Sequence, residues 1–389
     1  MGGTVSVRMV VASGSAGRAE KSVDRRKFLV RGGLAAGAAA AFPAPAIAQG
    51  IRELKLVTSW PKGLPGLGTS AERIGRTIAA ASGNRLQVKV FGAGEMVSAF
   101  EAFDAVAAGV ADMYHSAEYY WEAKSPGFSF FAAVPFGLTA DEMAAWIHFG
   151  GGQALWDELS ASYGVKGLLS TNTGVQMGGW FTKEVQGPES YRGLRYRMPG
   201  LGGEVLRRLG SVVVALPGGE IIPALQSGAI DAGEWVGPWN DLVLGLHKVS
   251  KYYYYPGFHE PGTVLSTGIN KKLWDSLTGE DRNLITMVAA AEYTTSLAEF
   301  NANNAKALEQ ITNDKSVEIR KFDDSLLMAL GKASRDIVAE IGQKDAMTRR
   351  IYDSFSAFRN RTARWAELAE RGFLNARHIA LSGSTKGQP

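Results

Sequence analysis

Two stretches of this chain carry the same eight-residue pattern, and that repeat limits the folds open to it. Ala105-Val-Ala-Ala-Gly109-Val-Ala-Asp112 is matched by Ala224-Leu-Gln-Ser-Gly228-Ala-Ile-Asp231. In both, a helical run ends on Gly, a short apolar stretch enters a sheet, and Asp follows three residues after the Gly. The surroundings match as well. Residues 54–57 read as a strand, 59–69 as a Pro/Gly loop and 70–81 as a helix. Residues 86–90 alternate with period two, and 98–109 read as a second helix. Later, 194–197 is a strand, 200–203 opens a helix ending near Gly210, 212–216 is a strand and 219–228 a helix. Such βαβα runs are the material of a parallel sheet covered by helices. Two copies about 120 residues apart predict two similar α/β lobes.

The N-terminal fifty residues indicate a compartment. Asp24-Arg25-Arg26-Lys27-Phe28-Leu29 sets two arginines before an Ala-rich apolar stretch, and Ala46-Ile47-Ala48 has the small-x-small pattern of a signal-peptidase site. We expect a twin-arginine leader over 1–48 and a periplasmic product starting at Gln49. The net charge of +4 belongs to that leader, which holds seven of the 42 Lys/Arg and two of the 38 Asp/Glu. The remainder is close to neutral and carries no basic stripe with interleaved aromatics, so nucleic-acid binding has no support. The chain has no cysteine, which excludes disulfides, a thiolate nucleophile, a lipid anchor on cysteine and an iron–sulfur cluster.

No assembled catalytic motif is visible. The five histidines (115, 148, 247, 259 and 378) have no metalloprotease or zinc-finger spacing, and there is no Gly-x-Ser-x-Gly elbow or phosphate-binding Gly-x-x-x-x-Gly-Lys loop. What remains are polar and aromatic residues at strand ends. Arg197 ends a strand where α/β sheets bind ligands, and a guanidinium there can hold a carboxylate with two parallel hydrogen bonds. A solvated strand-end arginine is the plainer alternative. In the first reading, Arg197→Ala abolishes carboxylate binding and leaves the fold intact. Glu234, with Trp235 next to it and Trp239 shortly after, is a candidate metal ligand or cleft acceptor. Gln176 follows an apolar strand where the chain crosses between lobes. An amide oxygen and a carboxylate oxygen together favour a hard cation. Trp60, Tyr119, Tyr120 and Trp121 are candidate aromatic walls, and residues 252–261 a second aromatic rim. Residues 344–377 form a helix whose Tyr352, Phe355, Phe358 and Trp365 must dock on this subunit or another.

Thr58-Ser59-Trp60-Pro61, Gly109-x-x-Asp112, Leu194-Arg195-Tyr196-Arg197, Leu225-x-x-Gly228-x-x-Asp231 and Gly233-Glu234-Trp235 resemble the extracytoplasmic solute receptors of tripartite ATP-independent periplasmic (TRAP) transporters. The resemblance spans residues 49 onward and is nearest the subgroup binding α-keto acids. It implies a two-lobed α/β periplasmic solute-binding fold with a long C-terminal helix. Lobe I is then 49–174 plus about 263–302, lobe II 175–262, and 303–343 a mixed lobe-spanning segment. Residues 344–377 would be a dimerisation helix and 378–389 a tail. By the same resemblance Arg197 grips a small 2-oxo monocarboxylate such as pyruvate or 2-oxobutyrate. Gln176, the Glu234 side chain and the Trp235 carbonyl hold a cation, sodium before calcium. Glu260 is a further contact, and Trp60, Tyr119, Tyr120 and Trp235 shape the space for a short tail. The implied partners are a membrane permease and a second copy of the chain. Two alternatives remain open: a lactate–calcium receptor of the same fold, and a cofactor-bearing periplasmic enzyme acting on a small acid. A chemosensory partner in place of the permease is a third.

Overall fold

The structure, a computed structural model, describes residues 50–382. The expected leader and residues 383–389 of the tail lie outside this range. The chain runs through β1 (Arg52–Thr58), α1 (Gly68–Ala81), β2 (Leu86–Phe91), α2 (Ala102–Ala107), β3 (Met113–Ser116), α3 (Ala140–Phe149), α4 (Gly152–Ala161) and β4 (Val165–Asn172). It continues through β5 (Gly179–Phe181), β6 (Arg195–Arg197), α5 (Gly200–Arg208), β7 (Val212–Val214), α6 (Gly218–Gln226), β8 (Ala232–Gly233), α7 (Pro238–Leu244) and β9 (Tyr252–Tyr255). Then come β10 (Val264–Asn270), α8 (Lys271–Ser276), α9 (Gly279–Asn313), β11 (Glu318–Lys321), α10 (Asp324–Ile341), α11 (Ala346–Ala366) and α12 (Gly372–Ser382). The strands form two sheets, ordered β2-β1-β3-β10-β4 and β11-β9-β5-β8-β6-β7.

The sequence repeat is a structural repeat. In the first sheet β1 lies between β2 and β3 and is parallel to both. In the second, β6 lies between β7 and β8 and is parallel to both. The two matched aspartates do the same work. Asp112 donates its N–H to Lys55 O (3.0 Å) and accepts Lys55 N–H on Oδ2 (2.8 Å). Asp231 donates its N–H to Arg195 O (2.7 Å) and accepts Arg195 N–H on Oδ2 (3.1 Å). Each closes a small ring with the central strand and fixes where the next strand enters. Gly109 (φ 77°) and Gly228 (φ 68°) end the preceding helices in the left-handed region that glycine adopts without a Cβ clash.

Periodicity explains the helices. On α1 the apolar residues Ala71, Ile74 and Ile78 recur at helical spacing and are buried. The later helices start on side-chain caps: Thr278 accepts Asp281 N–H (3.0 Å), Asp323 accepts Leu326 N–H (2.8 Å) and Asp345 accepts Thr348 N–H (2.8 Å). The 35-residue α9 is continuous, so the expected boundary at 302 falls inside it. Its first half holds the first sheet, where Ser296 Oγ accepts Asn172 N–H and Glu292 pairs with Arg73. Its second half reaches α7, where Asn304 accepts Trp239 N–H (3.0 Å) and Phe300 meets the Trp239 ring.

The C-terminal aromatics divide. Phe355 is fully buried and packs edge-on to Trp146 at 5.2 Å, with Tyr352 and Phe358 partly buried beside the same core. Trp365 is 69% exposed. After a π turn at Glu367–Arg371 the helix continues to Ser382, past the 377 boundary. Residues 378–382 are therefore helical and not tail; no proline or glycine stands between 373 and 382 to stop the helix.

Candidate functional site

Strands β6 and β8 are parallel neighbours with Arg197 opposite Gly233, so the next residue on the β8 side, Glu234, comes beside Arg197. Arg197 is 1% exposed. Its Nε donates to Leu216 O (3.0 Å), and its Nη1 donates both to Glu234 O (2.7 Å) and to Glu234 Oε1. Among the described residues nothing accepts from Nη2. The guanidinium lies over the Trp235 ring, 5.4 Å from its centre. Burial disfavours its charge, but Glu234, the two tyrosines and Glu260 outweigh this and leave its pKa raised. The solvated strand-end alternative is thereby excluded for Arg197. It describes Arg195 instead, which is exposed and paired with Asp231.

Gln176 and Glu260 lie on the two segments that cross between the sheets. These segments are tied together: Gln176 N–H donates to Glu260 O (3.1 Å), Gly257 N–H to Gln176 O (3.0 Å) and Thr173 N–H to Thr263 O (3.1 Å). The Gln176 amide is oriented by two hydroxyls. Thr263 Oγ1 gives its proton to Glu260 Oε2 and Thr173 Oγ1 gives its own to Gly174 O. Both therefore accept from Gln176 Nε2 (3.1 Å each), which leaves Gln176 Oε1 buried without a donor.

It is one of several such atoms. Glu234 Oε2, both ring nitrogens of His259 and Trp235 Nε1 are also buried without a hydrogen-bond partner, and the Trp235 carbonyl receives none among the described residues. One donor atom from each of Glu234, His259 and Glu260 lies within 4.8 Å of the others. Buried polar atoms are nearly always paired, so a concentration of orphans marks a place built for something else. Burial, then repulsion from Glu234, raises the Glu260 pKa to about 7 against the opposing pull of His259, Thr263 and Arg197.

Tyr119 and Tyr120 complete the enclosure, ring to ring at 4.9 Å and nearly perpendicular. Burial raises both phenol pKa values, with Glu260 the next contributor at Tyr119 and Arg197 opposing at Tyr120. Both remain neutral hydrogen-bond donors. Trp60, Tyr119 and Trp235 belong to one buried apolar cluster.

The chain matches the family model "DctP: Bacterial extracellular solute-binding protein, family 7" over residues 58–345. The chain belongs to this family. It is a TRAP transporter solute receptor of the periplasm, so the enzyme reading falls. A monocarboxylate 2-oxoacid-binding periplasmic protein, all3028, of Nostoc sp. (strain PCC 7120 / SAG 25.82 / UTEX 2576) is 38% identical over 321 residues, 82% of this chain and 88% of that protein. A TRAP periplasmic solute binding protein from Pseudoalteromonas atlantica T6c, solved with bound sodium and pyruvate, is 35% identical with a TM-score of 0.81, covering 84% of this chain and 99% of its own. A TRAP transporter solute binding protein from Bordetella bronchiseptica RB50 has a TM-score of 0.84 at 31% identity, covering 86% and 100%. It was solved as a mixed-occupancy dimer, with copurified calcium and picolinate in one active site and the other apo.

Within this receptor fold, Arg197, Gln176, Glu234, Trp235, Glu260, Tyr119 and Tyr120 come together. Trp60 meets their apolar side, edge-on to His115 at 5.1 Å. Trp121 reaches them only through Tyr120, which it meets edge-on at 6.1 Å; otherwise it packs on Phe103 (5.3 Å) and Tyr114 (5.9 Å), on the far side of that ring. Trp239 also points elsewhere, toward Phe300. The tyrosine run 252–255 is not a rim. It is an inner strand, β9, whose Tyr253 stacks on Trp180 at 4.0 Å and Tyr254 on Phe322 at 5.0 Å. Tyr253 and Tyr254 are core, Tyr252 is half-buried, and Tyr255 alone of the four is exposed. His259 is the residue sequence reasoning missed. Its one signal is its place beside Glu260, because its partner Glu234 is distant in sequence.

Proposed function

We propose that this receptor captures a small 2-oxo monocarboxylate, of the size of pyruvate or 2-oxobutyrate, together with a cation, and hands it to a membrane permease. The carrying observation is Arg197: a fully buried guanidinium with Nη2 unspent, electrostatically coupled to Glu234, Tyr120, Tyr119 and Glu260. A carboxylate taken out of water needs such a partner. Tyr119 and Tyr120 would donate to its oxygens, and Trp60 and Trp235 would pack against a short tail. Arg197 is the one arginine among these site residues, where a dicarboxylate would call for a second, and a bound cation takes that second place beside the carboxylate.

The residues fit a cation. Gln176 Oε1, Glu234 Oε2 and the Trp235 carbonyl lack hydrogen-bond partners and would hold it, with Glu260 alongside. When bound, such an ion supplies the positive charge on which a 2-oxo oxygen and its neighbouring carboxylate oxygen can chelate. The protein's own residues keep the ligand oriented and exclude water, which strengthens both contacts. That the relatives from Pseudoalteromonas and Bordetella were solved with sodium and pyruvate and with calcium and picolinate supports this reading.

Three further parts belong to the proposal. Export uses Arg25 and Arg26 by the twin-arginine route. Lobes I and II are the parts around the first and second sheets. The chain pairs with a second copy through the end of its C-terminal helix, where Trp365, Leu368, Phe373, Leu374, Ile379 and Leu381 are all exposed. Sedimentation of the protein and of a chain ending at residue 364 tests the pairing, which predicts a dimer and a monomer respectively.

The test of function is calorimetric titration of ligand-stripped protein with pyruvate, 2-oxobutyrate, lactate and succinate, each with sodium, calcium or chelator. Tight binding of a 2-oxo acid that weakens with chelator is expected. Indifference to all four acids, or preference for succinate, overturns the ligand class.

A further inference from the structure

Asp241 is a buried carboxylate that the proposed site does not use. It lies on α7 and is 1% exposed. Three donors converge on it. Trp180 Nε1 (2.9 Å) and Tyr253 Oη (2.7 Å) donate to Oδ2, and Val236 N–H donates to Oδ1 (3.2 Å). Burial raises its pKa to about 6, against the pull of Tyr253, Trp180 and Val236, so it is ionised at neutral pH. The first two donors are core groups of the second sheet, stacked on each other at 4.0 Å. The third is different. Val236 N–H belongs to the same peptide unit as the Trp235 carbonyl, and that unit is planar and trans. An acceptor that holds the N–H therefore also fixes the direction of the carbonyl, which points away from Asp241.

We propose that Asp241 is a positioning residue for the cation: it acts through the Trp235–Val236 peptide, aiming the Trp235 carbonyl and raising its negative charge. The proposal rests on the cation reading above, with calcium or sodium as the ion, and deepens it. The neighbouring backbone groups support it. Glu234 N–H donates to Arg197 O (3.3 Å), Glu234 O accepts from Arg197 Nη1 (2.7 Å) and Val236 O accepts Met177 N–H (3.2 Å). Of the three carbonyls of residues 234–236, only that of Trp235 has no donor among the described residues. Met177 follows Gln176 in the chain, so Val236 is tied beside both expected ligands, Trp235 and Gln176. A carboxylate that accepts from the N–H of a peptide polarises the unit and makes its oxygen a better acceptor. A hard cation on that oxygen gains from this. The ligand carboxylate, gripped by Arg197, does not.

The test exploits the donors. The Trp180 indole N–H and the Val236 N–H can only donate. An asparagine has one side-chain oxygen, so Asp241→Asn cannot satisfy both. Keeping that oxygen on Trp180 and Tyr253 sets the NH2 group against Val236 N–H and turns the peptide. Trp180→Phe removes the competing donor, so in the double variant the oxygen can return to Val236. Mature protein stripped of ligand and metal is titrated with Ca2+ and pyruvate, and each form is unfolded in urea. In Asp241→Asn, Ca2+ affinity should fall by about 10-fold or more. Saturating Ca2+ should then restore pyruvate affinity, which a general lesion of the fold would not allow. Trp180→Phe alone should lose stability but keep its Ca2+ affinity, and the double variant should recover most of what Asp241→Asn lost. Unchanged Ca2+ affinity in folded Asp241→Asn, or a loss that Trp180→Phe does not relieve, overturns the proposal. One measurement needs no variant. With tryptophan 13C-labelled at the carbonyl, the Trp235 resonance should shift on adding Ca2+ to unmutated protein in excess pyruvate; a resonance that stays in place also overturns the proposal. If no 2-oxo acid binds unmutated protein with any cation, the functional reading itself has failed. Calcium-dependent pyruvate binding that is indifferent to Asp241 sinks only this inference.

Discussion

Arg197 shows how one residue can be both a structural partner and a candidate for recognition. From sequence, Arg197→Ala is expected to remove binding and spare the fold. The structure changes the second half of that expectation, because Glu234 Oε1 is paired with this guanidinium at 2% side-chain exposure. Removing the partner leaves a buried carboxylate uncompensated, which costs about 3–5 kcal/mol. Arg197→Lys keeps the charge but loses the planar fork. We expect it to weaken 2-oxo acid binding on the order of 100-fold or more, with a smaller stability loss than Arg197→Ala, as read by calorimetry and urea unfolding. Glu118 gives a second prediction at this scale. It is fully buried and accepts from Tyr114 Oη and Ser266 Oγ, both at 2.6 Å. Burial raises its pKa to about 7, against the pull of those two hydrogen bonds. A carboxyl raised on folding favours the folded state at low pH, and that contribution is lost as pH rises from the unfolded value through about 7. Glu118→Gln should therefore stabilise the protein by about 1–3 kcal/mol at pH 8, with the advantage shrinking toward pH 5 in thermal melts. An advantage independent of pH would show that Glu118 does not titrate in this range.

At the scale of elements, the repeated helix–Gly–strand–Asp unit does the positioning. Asp112 and Asp231 tie the entry of β3 and β8 to the central strands, and β8 delivers Glu234 next to Arg197. The glycines before them need φ of 77° and 68° but have open space around the missing Cβ: nothing lies within 4 Å at Gly228 and only Asn270 Nδ2 at 3.8 Å at Gly109. Gly109→Ala and Gly228→Ala should each cost about 1–2 kcal/mol, from backbone strain alone. Because the geometry is shared, the two losses should be similar in urea unfolding, and affinity for the ligand should be preserved. A much larger loss at one site would mean that the two units are not equivalent.

At the scale of the molecule, Arg197, Glu234, Gln176 and Glu260 are each no more than 3% exposed. On the proposed function a ligand cannot reach these residues without an opening motion, which makes this arrangement the shut form. The crossings near Gln176 and Glu260 are where the chain passes between the sheets, and α9 spans both sides. They are the natural hinge. Pyruvate added to ligand-free protein should lower the radius of gyration measured by small-angle scattering and alter tryptophan emission through Trp60 and Trp235. An unchanged radius would mean that the shut form dominates without ligand. The sequence by itself determined the repeat, the α/β class, and Arg197, Gln176 and Glu234 as site candidates, because local periodicity, glycine caps and strand-end chemistry are short-range properties. It misjudged the tyrosine run 252–255, since whether a strand is rim or core depends on its neighbours in the sheet. Only the tertiary structure decided that His259 stands beside Glu234, that the Gln176 amide turns its oxygen inward, and that Phe355 docks while Trp365 does not. Each of these depends on segments far apart in the chain being brought within a few ångströms, and no local pattern encodes that.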